Sequence, residues 1–156
     1  MGSPFRTLDL SDCDFTGSLT HLFGPTHSLE ELRLDGNSFY GPIPPWVFNI
    51  STFDLSDNEF SGKVDLSSFT NNIFIVLSNS GISVIATKKN DDNLNSCSLK
   101  EVAQVGLSSC NISIFPEVLR SCNALLYLDL SMNKSWWRDS SLATGNANFE
   151  PVKSIL

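Results

Sequence analysis

The sequence predicts a solenoid of the α/β class, mostly β, in which successive coils stack short strands into one parallel sheet. Three observations predict it. One phrase recurs at a near-constant spacing, as "LDLSDCDFTGSL" (8–19), "LRLDGNSFYGPI" (32–43) and "FDLSDNEFSGKV" (53–64). Each copy opens on an apolar–x–apolar alternation. Each then carries a small polar slot, an aromatic residue and a glycine at fixed offsets. Leu8, Leu10, Cys13, Phe15 and Gly17 return at one common offset as Leu32, Leu34, Asn37, Phe39 and Gly41. They return again, at a slightly shorter common offset, as Phe53, Leu55, Asn58, Phe60 and Gly62. Self-similarity with a period of 20–50 residues is the signature of stacked repeats.

Each element follows from its place in the phrase. The alternation has the period of a strand with one buried face. One strand per coil has no partner within its own repeat, so it pairs with the equivalent strand of the next, which builds a parallel sheet on the concave side. Weaker copies continue the series: Ile75 and Leu77, Val105 and Leu107, Leu128 and Leu130 fill the same apolar slots, making about six coils. The polar slot reads Cys13, Asn37, Asn58, Ser80, Cys110 and Asn133. It lies just after the strand, where an inward amide can bond the backbone of adjacent coils as a ladder. The glycine, and the "IPP" of residues 43–45, suit an extended or 3-10 return on the convex side. The solenoid is expected over residues 5–134, with a polar insertion at 84–98 ("VIATKKNDDNLNSCS") and an irregular non-repeat tail at 135–156. Both ends are expected to be uncapped, with Phe5, Leu8 and Leu10 facing into the core at one end.

The register LxxLxLxxNxFxGxIP, best seen in "LEELRLDGNSFYGPIPPW" (29–46), resembles the plant-type leucine-rich repeat. With "FSGKVDLSSF" (60–69) and "LSSCNISIFPEVLRS" (107–121), the resemblance narrows to plant receptor-like proteins. That resemblance implies the ligand-recognition module of a cell-surface receptor at the plasma membrane, with apoplastic repeats. Its partners would be a protein or peptide ligand, in pathogen perception, and a co-receptor in the whole receptor. Two alternatives stand beside it: a secreted repeat protein that inhibits a pathogen hydrolase, and a truncated remnant without activity.

Composition excludes other classes. A chain of 156 residues with 41% hydrophobic and 17% charged residues is long and apolar enough for a core. A net charge of −7 argues against nucleic-acid binding, which needs a basic face. No apolar run approaches the roughly 20 residues of a membrane span. The first residues lack the basic start and apolar stretch of a signal peptide, so neither export address nor anchor is expected in this chain. Catalysis has no candidate groups. His21 and His27 lie between repeats without a partnered nucleophile or acid. No metal-ligand spacing or phosphate loop occurs, so no catalytic residue, metal or cofactor is expected.

Binding residues are therefore sought on the concave face. Asp before the second leucine and Ser after it belong to the repeat's own "LDLS" pattern, as at Asp9, Asp54 and Asp129. The candidate contacts are Glu31, Arg33, Asp35, Asp57, Glu59, Tyr127 and Met132, in columns about 4.8 Å apart, giving an acidic patch broken by Arg33. Cys13 and Cys110 are expected to pack inward as thiols in the ladder slot. Cys97 and Cys122 are separated by close to one coil turn and could be bridged in an exported protein. Asn49 and Asn111 are candidate glycosylation sites at exposed positions. The sequon at Asn133 is discounted because a ladder amide faces inward.

Overall fold

The computed structural model describes residues 5–21, 28–85 and 99–134. Eleven strands and four short 3-10 segments make six stacked coils among these residues. The main sheet is six-stranded and parallel, in the order β1 (Thr7–Asp9), β3 (Glu31–Arg33), β5 (Thr52–Asp54), β8 (Phe74–Val76), β10 (Gln104–Gly106) and β11 (Tyr127–Asp129). Its central residues align as Leu8, Leu32, Phe53, Ile75, Val105 and Leu128, the register read from the repeat. Hydrogen bonds continue past the strands from coil to coil. Leu34 donates to the carbonyl of Asp54 at 2.9 Å, Leu55 to Val76 at 2.9 Å and Leu77 to Gly106 at 2.8 Å.

The core lies behind this sheet. Leu32, Phe53, Ile75 and Val105 are fully buried, and so are Leu55, Leu77 and Leu107 of the second apolar slot. The 3-10 segments close the convex side at Leu19–His21, Pro45–Asn49, Leu66–Ser68 and Glu117–Ser121. Pro45 sits at a first helical position, where its missing N–H costs nothing. Leu8 and Leu10 in the first coil, and Leu128 and Leu130 in the last, are only partly buried. Phe5, expected to face the core, is instead 70% exposed, because it stands ahead of the first strand at the outer edge of the first described coil.

Two further sheets were not expected from the sequence. After the ladder slot the chain forms β2 (Thr16–Ser18), β4 (Ser38–Pro42) and β6 (Glu59–Ser61), a second parallel sheet, and β7 (Lys63–Asp65) pairs with β9 (Ser83–Ile85). The second sheet is staggered against the repeat. Gly17 pairs with Phe39 and Gly41 with Phe60, two places short of the equivalent glycine in each case. A shift by an even number of places preserves which face each side chain takes. Phe15, Phe39 and Phe60 accordingly stack ring on ring, with centroids 6.4 Å apart at both steps. The polar insertion also begins later than expected. Val84 is 4% exposed inside β9, so the strand runs to Ile85, and the rest of the insertion lies outside the described residues.

Every coil leaves the sheet through one left-handed residue, placed immediately before the ladder slot. The series is Asp12, Gly36, Asp57, Asn79, Ser109 and Met132, with φ between 51 and 66°. Glycine, asparagine and aspartate tolerate this region, whereas other side chains are strained in it. Met132 is the poorest fit. Met132→Asn is expected to raise stability by about 0.5 kcal/mol, a shift of the urea midpoint to higher concentration. An unchanged or lower midpoint would show that the turn carries no strain.

Candidate functional site

The polar slot forms the spine that holds the concave sheet in shape. Asn37 donates from Nδ2 to the carbonyls of Leu10 at 2.8 Å, Leu34 at 3.0 Å and Asp35 at 3.1 Å. Its Oδ1 accepts from the N–H of Phe15 at 2.8 Å and of Cys13 at 3.3 Å. Asn58 repeats the pattern one coil on, bonding the Leu34 carbonyl at 2.8 Å and accepting from Phe39 N–H at 3.0 Å. Asn133 donates to Leu107 at 2.6 Å and accepts from Ile112 N–H at 2.9 Å. Each amide thereby satisfies backbone groups of two coils that turn away from their neighbours. Ser80 is too short for this and bonds the Leu77 carbonyl of its own coil at 2.6 Å. Cys110 reaches the same carbonyl from the next coil at 3.1 Å. Burial, then the nearby Asp129, pushes the Cys110 thiol up to about 12, so it stays protonated and inert. Cys13 departs from expectation. It is exposed and its thiol turns to the Ser11 carbonyl, because no described coil precedes it to cover the slot.

The concave face itself carries the outward side chains of the six-stranded sheet. Its columns run Thr7, Glu31, Thr52, Phe74, Gln104, Tyr127 and Asp9, Arg33, Asp54, Val76, Gly106, Asp129. Glu31 and Arg33 meet on one strand at 3.0 Å, and Arg6 pairs with Glu30 at the rim. The Arg33 guanidinium is held above its ordinary value by its bond to Glu31. Asp35 is shifted up, first by partial burial and then chiefly by the charge of Asp54, with Asp12 and Asp9 adding to it, since both burial and like charge disfavour the carboxylate. The pattern aspartates serve the scaffold. Asp9 accepts from the hydroxyl and then the N–H of Ser11, which lower its pKa. Asp54 accepts from the N–H of Ser56 at 3.0 Å and from its hydroxyl at 2.6 Å. Asp129 accepts from Ser131 N–H at 2.8 Å.

Of the expected contact residues, the sheet brings together Glu31, Arg33 and Asp35 on the second coil. Tyr127 shares the Glu31 column but stands four strands away, on the last coil. The other three do not lie on this sheet. Asp57 and Met132 occupy the left-handed turn that leaves it, where Asp57 accepts from Asn79 Nδ2 at 2.7 Å. Glu59 belongs to β6 in the second sheet. All three follow a strand of the sheet closely in sequence, and the turn carries the chain off the concave face within those few residues. Asn49 and Asn111 are both exposed, and Asn111 Nδ2 bonds Ser83 Oγ at 3.0 Å. Asn133 is half-buried with its amide fully engaged. Cys122 is buried against the Val118 carbonyl, while Cys97, His27 and the tail lie outside the described residues.

The apolar half of the face was missed. From the fourth coil onward, the outward positions read Phe74, Val76, Gln104, Gly106, Tyr127 and Asp129, with Ile73 and Leu126 on the rim just ahead of their strands. Ile73 is 49% exposed and Leu126 is 86% exposed. The signal was available in the slots that hold charge in the first three coils. Gly106 leaves room for its neighbours here, since an added Cβ would stand 3.1 Å from Val76 Cγ1 and 3.2 Å from Ser78 Oγ.

Comparison with known proteins places this architecture. The "Leucine Rich Repeat" family model matches residues 5–25 and 28–50. Receptor like protein 27 of Arabidopsis thaliana is 34% identical over 112 residues, which is 68% of this chain and 13% of the relative. Receptor-like protein 39 of the same plant is 38% identical over 63 residues, 38% of this chain and 7% of the relative. The chain is built of leucine-rich repeats and is similar to plant receptor-like proteins. It spans only about a tenth of the length of these relatives. Among solved structures, a plant peptide hormone receptor, RGFR1 in complex with RGF2, aligns with a TM-score of 0.54 at 20% identity. The alignment covers 77% of this chain and 23% of that one, and it speaks for the shared fold. Among the described residues of this leucine-rich-repeat protein, no helix is long and apolar enough to cross a membrane, and no group of three or more potential metal ligands forms.

Proposed function

We propose that this leucine-rich-repeat protein is a ligand-recognition module of a cell-surface receptor, binding a peptide or protein on its concave sheet in pathogen perception. The observation that carries the reading is the continuous six-stranded sheet, whose outward columns are free of the repeat's own requirements at Glu31, Arg33, Phe74 and Tyr127. The scaffold is held from behind by the amide ladder and the core, so these positions can vary without loss of the fold. The receptor-like relatives support the receptor context; in this reading the repeats face the apoplast and a co-receptor completes the whole assembly. The solved neighbour, a peptide hormone receptor in complex with its peptide, supports a peptide ligand.

Disrupting the gene in its host plant tests the defence role. Leaf tissue treated with fungal culture filtrate is expected to lose a large part of its oxidative burst, with recovery on reintroducing the gene. A burst of unchanged size across filtrates from several pathogens would remove pathogen perception from the reading.

A further inference from the structure

The two halves of the concave face differ in chemistry at a sharp boundary. In the first three coils the face and its rim carry Asp9, Glu30, Glu31, Asp35 and Asp54 against two arginines, a surplus of negative charge. In the last three coils the only charged residue in the outward columns is Asp129. Their place is taken by Phe74, Val76 and Tyr127, flanked by the exposed rim residues Ile73 and Leu126. The step falls between β5 and β8, which are hydrogen-bonded neighbours, so the two zones form one continuous surface. Apolar side chains gathered on an exposed sheet face mark an interaction surface. The charge beside them decides what can cover it, because an acidic partner would meet like charge across the boundary.

Resting on the recognition reading above, we propose that the ligand is an extended peptide segment, basic in one half and aromatic or aliphatic in the other. It lies across the strands along the solenoid axis. Six strands at about 4.8 Å spacing span roughly 24 Å, the length of about seven extended residues. The basic half faces the second and third coils, near Glu31, Asp35 and Asp54. The apolar half packs on Phe74, Tyr127 and Leu126. Electrostatics then sets orientation and approach, while the apolar zone contributes most of the affinity.

The test is selection from a random nine-residue peptide library displayed on phage against the 156-residue chain. Enriched peptides are resynthesised with a fluorescent label, and their binding is read by anisotropy. The expected winners carry Lys or Arg in one half and Phe, Leu, Ile or Trp in the other. Their affinity should fall at least tenfold in Tyr127→Lys and in Asp35→Lys, and should weaken as salt is raised. Leu126→Ser provides a second variant at a position exposed enough to leave folding intact, checked by circular dichroism, and should also weaken binding. Winners of another polarity that still lose binding in Tyr127→Lys would overturn the ligand chemistry and leave the recognition face standing. Winners indifferent to all three substitutions would overturn both, and the absence of any enriched peptide would overturn the proposal.

Discussion

Replacing Phe53 with alanine is expected to cost about 3–5 kcal/mol of folding stability. Phe53 is fully buried at the centre of β5, between Leu32 and Ile75 in the sheet register. Its ring stands 5.8 Å from that of Phe69, itself fully buried and edge-on to Phe48 at 5.1 Å. The cavity left by alanine closes poorly. Backbone bonds tie this coil to both neighbours, from Thr52 N–H to the Glu30 carbonyl at 3.0 Å and from Leu55 N–H to Val76 at 2.9 Å. A loss of this size is a large share of the roughly 5–15 kcal/mol that holds an ordinary domain folded. Phe53→Leu, which restores the residue used in the second coil, is expected to recover more than half of it. Urea unfolding followed by circular dichroism measures both variants. A loss under about 1.5 kcal/mol for the alanine variant would mean that the coils collapse onto the gap.

Asn58→Ala is expected to cost about 3–4 kcal/mol, nearly as much, for a different reason. Asn58 is 7% exposed, and its side chain satisfies four backbone groups. Nδ2 bonds the carbonyls of Leu34 at 2.8 Å, Ser56 at 3.0 Å and Leu55 at 3.3 Å, and Oδ1 takes the Phe39 N–H at 3.0 Å. Alanine removes all four partners at once. Asn58→Asp distinguishes this account from a simple loss of volume. A carboxylate there keeps the acceptor but turns negative charge onto three carbonyl oxygens, so its folded pKa rises above the unfolded value. The penalty is then fully present above the folded pKa and is relieved as pH falls through it, because the protonated acid can donate. The aspartate variant should therefore lose more stability at pH 7 than at pH 4, relative to the parent at each pH. Equal losses at both values would assign the effect to packing.

The main sheet was legible in the chain because its two determinants are both local. Period-two alternation says which residues of a strand are buried, and constant spacing says which residues of successive coils meet. Leu8, Leu32, Phe53, Ile75, Val105 and Leu128 could be aligned in advance for that reason, even across the longer loop before Val105. The polar slot was visible in the same way, since a small polar residue at one offset after every strand has a backbone to satisfy. What the spacing alone could not say was how completely a slot would be covered. Cys13 and Asn37 hold equivalent places, yet one is exposed and the other buried, because coverage depends on the coil before.

The sequence by itself determined the coil, its register and the residues that face inward. Those follow from apolar periodicity, which acts within a few residues. Only the tertiary structure decided the second sheet, whose stagger depends on how one coil tilts over the next and leaves no alternation to read. It also decided the left-handed turn shared by residues as unlike as Gly36 and Met132, which is imposed by the direction in which the chain must leave the sheet. That turn is why Asp57, Glu59 and Met132 fall off the concave face although they follow its strands closely in sequence. The division of that face into a charged and a nearly uncharged, aromatic-bearing half belongs to the same class. Each residue in it is ordinary in its own coil, and the boundary exists only because hydrogen bonding sets β5 beside β8 and lays three charged coils against three with one outward charge, Asp129.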